Sequence, residues 1–298
     1  MNSIGRIARV LPATVLLSAP LPAGAETVNC TAITNASIPY TISAPGVYCV
    51  TQKISTNLAT GAAITINANN VVLDLNNFAI GNLAAGPATT AVGIYAADRQ
   101  NIWLRNGILR GFWAGVALLD AATASSSGHI VYNITADHCY AVGIAVQGPY
   151  ATVKFSSVYA TTGSSLGTSA GGAASGISVA NAPVAAIHNN GVFDTDCSNG
   201  CTAGTGIAAG IEINNSPSSQ VANNTVTNSS LPTIASQFAI EVDGTDTNIF
   251  VLNNVISNWA TGVTFSSAAG GKYNGNGFIG GVTTNVTGGT GIDAGGNY

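Results

Sequence analysis

An asparagine returns at one frame position through a series of apolar segments. Aligning VLDLNNFAI from Val72, IWLRNGIL from Ile102, IVYNITA from Ile130, AAIHNNGV from Ala185, SQVANNTV from Ser219 and IFVLNNVI from Ile249 stacks Asn77, Asn106, Asn133, Asn189, Asn223 and Asn253. Between Asn133 and Asn189 the frame passes through TVKFSSV, where Phe155 takes the position. Intervals of about 22 to 34 residues are those of a solenoid, whose coils each bury too little to stand alone. A second marker, glycine followed by a β-branched residue, recurs at Gly93, Gly115, Gly143, Gly176, Gly210, Gly262 and Gly291, with Ala239 in the same frame. Two apolar markers per repeat predict at least two strands per coil.

Asn106 shows what holds such coils together. Strict alternation along NIWLRNGILRG puts Ile102 and Leu104 inside, Trp103 and Arg105 outside, and Asn106 back inside. A buried amide needs its donors and its acceptor matched, and its own segment offers no partner. Coils stacked roughly 4.8 Å apart supply one, because asparagines at the same bend can bond to those above and below. Only 7% of the residues are charged and 36 of 298 are glycine, which leaves little material for exposed amphipathic helices.

The asparagine column, the LDLNN and LRNG turns and the rung length resemble the right-handed parallel β-helix proteins, the pectate-lyase-like superfamily, over about Tyr40 to Tyr298. The fold this implies is all-β, a right-handed single-stranded parallel β-helix with an internal asparagine ladder. That architecture hosts lyases, hydrolases, epimerases and non-catalytic surface proteins, so activity has to come from sites. A β-sandwich would need hairpin turns every 8 to 12 residues or so, and no such rhythm is present. Residues 26–60 read as an N-terminal cap and first strands, and 61–298 as the helix proper. Gly/Ser/Ala-rich insertions from Thr161 and from Asp194 are expected as surface loops beside one sheet.

Residues 1–25 read as a signal peptide: Arg6 and Arg9 precede a short apolar run that ends in Ala23-Gly24-Ala25, leaving Glu26 as the mature start. Without the two arginines the net charge of −4 becomes about −6, which argues against nucleic acid as a partner. No other segment is long and apolar enough to span a bilayer. An exported chain, periplasmic or secreted, can form disulfides. Cys30 with Cys49 and Cys197 with Cys201 are the expected pairs, and Cys139 in its apolar context is expected to be a small buried residue.

Two exposed clusters follow from the repeat frame. On the strands that begin at the glycine marker, alternation aligns Tyr95, Ala117, Ala145, Ser178, Glu212, Glu241, Thr264 and Asp293, with Asn214 and Asp243 in the next column. Glu212, Glu241 and Asp243 thus gather on adjacent rungs. They are candidates for the acid and the nucleophile or base of a glycosidase, for a calcium site, or for plain solubilising charge. On the strand before each asparagine, Arg105, Tyr132, Lys154 and His188 face outward, with Asp74 and Trp103 two residues earlier. Aromatic faces and cations in one stripe suit an acidic polysaccharide, although Arg105 can also pair with Asp74.

Enzyme motifs of the superfamily are incomplete. ADHC keeps Asp137 and His138 of the pectate-lyase stretch without its tryptophan, SGHIV supplies only Gly128 and His129 of the polygalacturonase set, and the epimerase Asp-Pro-His-Asp is missing. His129 and His188 read as structural. The sequence therefore describes an exported β-helix that binds an acidic polysaccharide and, as an enzyme, would be a polysaccharide lyase, glycoside hydrolase or epimerase. The alternative is a non-catalytic envelope or cell-surface structural protein.

Overall fold

The computed structural model describes residues 29–121, 125–164, 166, 173–198, 206–230 and 236–298. The expected signal peptide, Cys201 and the middle parts of the two long insertions lie outside them. The chain is a right-handed parallel β-helix. Its strands form one ten-strand sheet and one 18-strand sheet, and every registered pairing between strands is parallel. Each coil contributes one strand to the ten-strand sheet and then crosses the larger sheet, which bends in its middle into a first and a second half. Thr31–Ile33, Tyr40–Ile42 and Gly46–Val50 already pair into the two sheets, within the stretch expected to hold the cap and first strands.

Alternation inside each strand stacks one aliphatic file per face. Ile64, Ile94, Val116, Ile144, Ile177, Ile211, Ile240 and Val263 are in register along the ten-strand sheet, and all are fully buried. Leu104, Val131, Val153, Ile187, Val221 and Val251 do the same on the first half of the larger sheet. Burial of each such side chain contributes roughly 1.5–3 kcal/mol, which no single coil could gather alone. Glycine precedes the first file for lack of room. A Cβ at Gly93 would lie 2.5 Å from the carbonyl oxygen of Gly115, and one at Gly176 2.5 Å from that of Gly210. Gly291 is an exception in the marker series, since it sits in Thr290–Asp293 of the other sheet, and Thr287 takes the place expected for Asp293.

The bend of the larger sheet corrects the reading of Asn106. Asn77, Asn106, Asn133, Asn189, Asn223 and Asn253 all have φ between 51° and 61°, and Phe155 has 52°. This left-handed residue turns the chain and breaks the alternation, so these side chains are exposed or half-exposed, although Asn106 does bond to the next rung as expected, its Oδ1 accepting from Asn133 Nδ2 at 3.0 Å. Asparagine is favoured there because its short polar side chain tolerates positive φ.

The internal ladder stands one residue later, at Ser156, Asn190, Asn224, Asn254, Asn276 and Asn297. Asn224 shows the repeating unit. Its Nδ2 donates to the Ile187 carbonyl and to Asn254 Oδ1, both at 3.0 Å, and its Oδ1 accepts from the backbone N–H (2.9 Å) and Nδ2 (3.0 Å) of Asn190. Asn254 and Asn276 repeat the pattern up to Asn297.

Cys30 and Cys49 form a disulfide, Cys197 is also disulfide-bonded, and Cys139 is a buried free thiol whose pKa burial pushes up to about 12. No described helix is long and apolar enough to cross a membrane.

Candidate functional site

The parallel register places the first stripe as the sequence frame predicts. Arg105, Tyr132, Lys154 and His188 occupy one outward column on four consecutive coils, and Trp103 lies beside Arg105 in the adjacent column with Ile130 and Thr152. The rings are in contact. Phe155, brought outward by its left-handed turn, packs edge-on against Tyr132 (centroids 5.7 Å) and His188 (6.1 Å). Lys154 Nζ sits 5.8 Å from the Tyr132 ring centre, and the Arg105 guanidinium 4.8 Å from that of Trp103. Trp103 stays 39% exposed, and a groove of about 370 Å3 runs beside it past Asn70, Asn101 and Ile130.

Asp74 departs from the expected register. It pairs with Arg105, not Trp103, and its carboxylate is buried, accepting from Arg105 Nε at 2.8 Å. Arg105 is therefore positioned by a carboxylate beneath it and keeps a quarter of its side chain exposed. His188 is held below its usual pKa by partial burial and then by the charge of Lys154, which favours a neutral ring that bonds Asn189 Nδ2 through Nδ1.

The acidic column lies on the ten-strand sheet. Glu212 is directly opposite Glu241, and Asn214 opposite Asp243. Burial, then Glu212, then Asp243 push the Glu241 pKa up to about 7. Its neighbours are engaged separately. Ser175 Oγ donates to Glu212 Oε2 at 2.9 Å, and Asn214 Nδ2 donates to Asp243 Oδ2 at 3.4 Å. Among the described residues no group of three or more His, Cys, Asp or Glu side chains is gathered as a metal site requires. The calcium reading of Glu212, Glu241 and Asp243 thus lacks a convergent oxygen set.

A third cluster escaped the sequence frame. On the second half of the larger sheet, Gly81, Arg110, Asp137, Tyr159 and Phe193 follow one another across consecutive rungs. Asp137 is bracketed: Oδ1 lies 2.5 Å from His138 Nδ1, and Oδ2 accepts from Arg110 Nε at 2.5 Å. The Tyr159 and Phe193 rings are stacked, 5.1 Å apart and 13° from parallel. A groove of about 490 Å3 opens over Gly81, Arg110, Asp137, Tyr159 and Lys53. The only sequence signal was the Asp137-His138 pair of ADHC.

His129 is structural, as expected. It is fully buried, its Nδ1 accepts from the Ile102 N–H at 3.4 Å, and its Nε2 lies 2.7 Å from Ser126 Oγ. Both ring nitrogens are thus engaged by neighbours, which holds the imidazole in place. Burial depresses its pKa to about 4.

No protein-family model and no curated protein matches the sequence. Among solved structures, the chain is similar to the enzymatically active domain of tailspike protein 2 of bacteriophage CBA120, with a TM-score of 0.52 and 16% identity, covering 84% of this chain and 38% of that one. It also matches the catalytic domain of a GH87 α-1,3-glucanase in complex with nigerose, at a TM-score of 0.28 and 13% identity over 85% of this chain and 63% of that one. At these identities the likeness to the tailspike domain is one of fold, and the chain spans well under half of that protein.

Proposed function

We propose that the protein is exported and binds an acidic polysaccharide along the Trp103, Arg105, Tyr132, Lys154 and His188 stripe. One observation carries this reading. Cations and aromatic rings alternate in register along one face, whereas Glu212, Glu241 and Asp243 lie on the other sheet. A chain of rings bearing carboxylates can stack on Trp103 and Phe155 while Lys154 and Arg105 meet its charge. Asp74 fixes Arg105 without a rotamer search, which lowers the entropic cost of binding. The disulfides support export.

Binding of uronate oligomers measured by calorimetry tests the stripe. Trp103→Ala and Lys154→Ala should each weaken it, and the lysine effect should shrink at high salt. Unchanged binding in both variants removes the site.

A second reading, hydrolysis of a glycan at the ten-strand sheet, is favoured by the raised pKa of Glu241. At neutral pH Glu241 can hold a proton and act as the acid, with Glu212 directly opposite it on the adjacent rung as the second carboxyl group a glycosidase needs. Such a site would repel an acidic chain, so its substrate would be neutral. Release of reducing ends from neutral glycans, abolished in Glu241→Gln with binding retained, would establish it. No release overturns it.

A further inference from the structure

We infer that the groove over Arg110, Asp137 and Tyr159 is a separate binding site for a sugar ring that carries a carboxylate. It belongs to a different half of the sheet from the stripe and does not depend on it. Three features select that ligand.

The groove of about 490 Å3 falls within the roughly 300–1,000 Å3 of small-molecule sites. It owes part of its depth to Gly81, which places no side chain in the outward column ahead of Arg110. Its wall on that side is the short turn at Leu83.

The second feature is flatness. Tyr159 is 41% exposed and lines the groove, and Phe193 stacks almost parallel on one face of its ring and so holds it upright, leaving the groove-side face to receive the C–H face of a pyranose. A bare phosphate or carboxylate would leave that face unused.

The third is charge. Both oxygens of Asp137 are taken by its neighbours, one by His138 and one by Arg110, so its role is to hold Arg110 in place. Lys53, which lines the groove, makes no ion pair among the described residues. Lys53 and Arg110 against one carboxylate leave a positive balance over that ring. A neutral sugar would not use it, whereas a uronate ring uses ring and charge together.

Calorimetry on the whole chain, with trimers of galacturonate, glucuronate and mannuronate and with their methyl esters, tests the site. At least one acid should bind, and its ester should bind about tenfold more weakly. Lys53→Ala should weaken the acid about threefold to tenfold at low salt, with little effect at high salt. Tyr159→Ala should weaken acid and ester alike by a similar factor. Both side chains are exposed, so neither change threatens folding, and circular dichroism confirms it.

Trp103→Ala separates this groove from the stripe. Losses in Lys53→Ala and Tyr159→Ala with Trp103→Ala unaffected uphold the groove and remove the stripe. The reverse pattern overturns the groove and leaves the stripe standing. Equal binding of acid and ester overturns the charge argument, and no binding of any trimer overturns both sites.

Discussion

The bend of the larger sheet is made in two chemistries. In the coils that carry Asn106 and Asn133, the residue after the left-handed turn is Gly107 or Ile134, packed among apolar neighbours such as Leu75. From Ser156 onward the same place holds Ser, then Asn190, Asn224, Asn254 and Asn276, wired to one another and to strand carbonyls. Ile134 N–H donates to Ser156 Oγ at 3.1 Å, so the serine is the joint between the two. The backbone turn is common to both halves, and its interior is not. What the fold requires is a residue that accepts positive φ; what fills the corner can be either a hydrocarbon or a complete polar network.

The largest test of that contrast is Asn224→Leu. It orphans the Asn190 N–H and amide and the Ile187 carbonyl in the interior, and should cost about 3–5 kcal/mol in urea unfolding. A loss under about 1 kcal/mol would mean the ladder is decorative. In the apolar half, Gly107→Ala should cost about 1–3 kcal/mol by overpacking, since its Cβ would come within 2.3 Å of Leu75 Cβ. Parent-like stability there would show that the N-terminal corner has slack.

Asn106 should respond differently from Asn224. Asn106→Leu should cost about 1–2 kcal/mol more than Asn106→Gly through its φ of 56°, while both variants give up the bonds to Asp74 and from Asn133. Equal losses in the two variants would show that these side-chain bonds, not the turn, set the contribution of Asn106. These three sites also show what was readable beforehand. The left-handed column was visible because one asparagine recurs through both halves. The ladder was hidden one position away, where the first coils hold glycine and isoleucine and the pattern begins only with the doubled Asn189-Asn190, Asn223-Asn224 and Asn253-Asn254.

The outward stripe was legible because a fixed offset from that column defines it, and the one slip there, Asp74, came from Leu75 and the paired left-handed Asn76 and Asn77, which shift the frame. The groove was not legible. Lys53, Arg110, Asp137 and Tyr159 share no motif, and only the register across five coils brings them together.

The two halves differ in charge as well, and this gives the smallest effect. The ten-strand sheet shows Tyr95, Ala117 and Ala145 in its early coils and opposed carboxylates later. The raised pKa of Glu241 means that the folded state binds more protons than the unfolded chain between about pH 4.5 and 7. Stability from this group is therefore present in acid and lost as pH rises through that window. Glu241→Gln should raise stability by up to about 1 kcal/mol at pH 8 and leave it unchanged at pH 4. A calcium-dependent rise in Tm of the parent would reassign the column to a cation.

The spacing of the coils also governs how the chain is assembled. Successive rungs join residues such as Ile94 with Val116 and Ile177 with Ile211, so no pairing in the stack waits for a distant part of the chain. Parallel sheets normally fold slowly because their partners are remote and loop closure precedes reward. Here the closure is short and repeated, and each finished coil is the template for the next. The first described pairing, of Thr31–Ile33 with Gly46–Val50, is tied by the Cys30–Cys49 disulfide. Growth can then proceed one rung at a time along the described coils, each new strand pairing with the one before it.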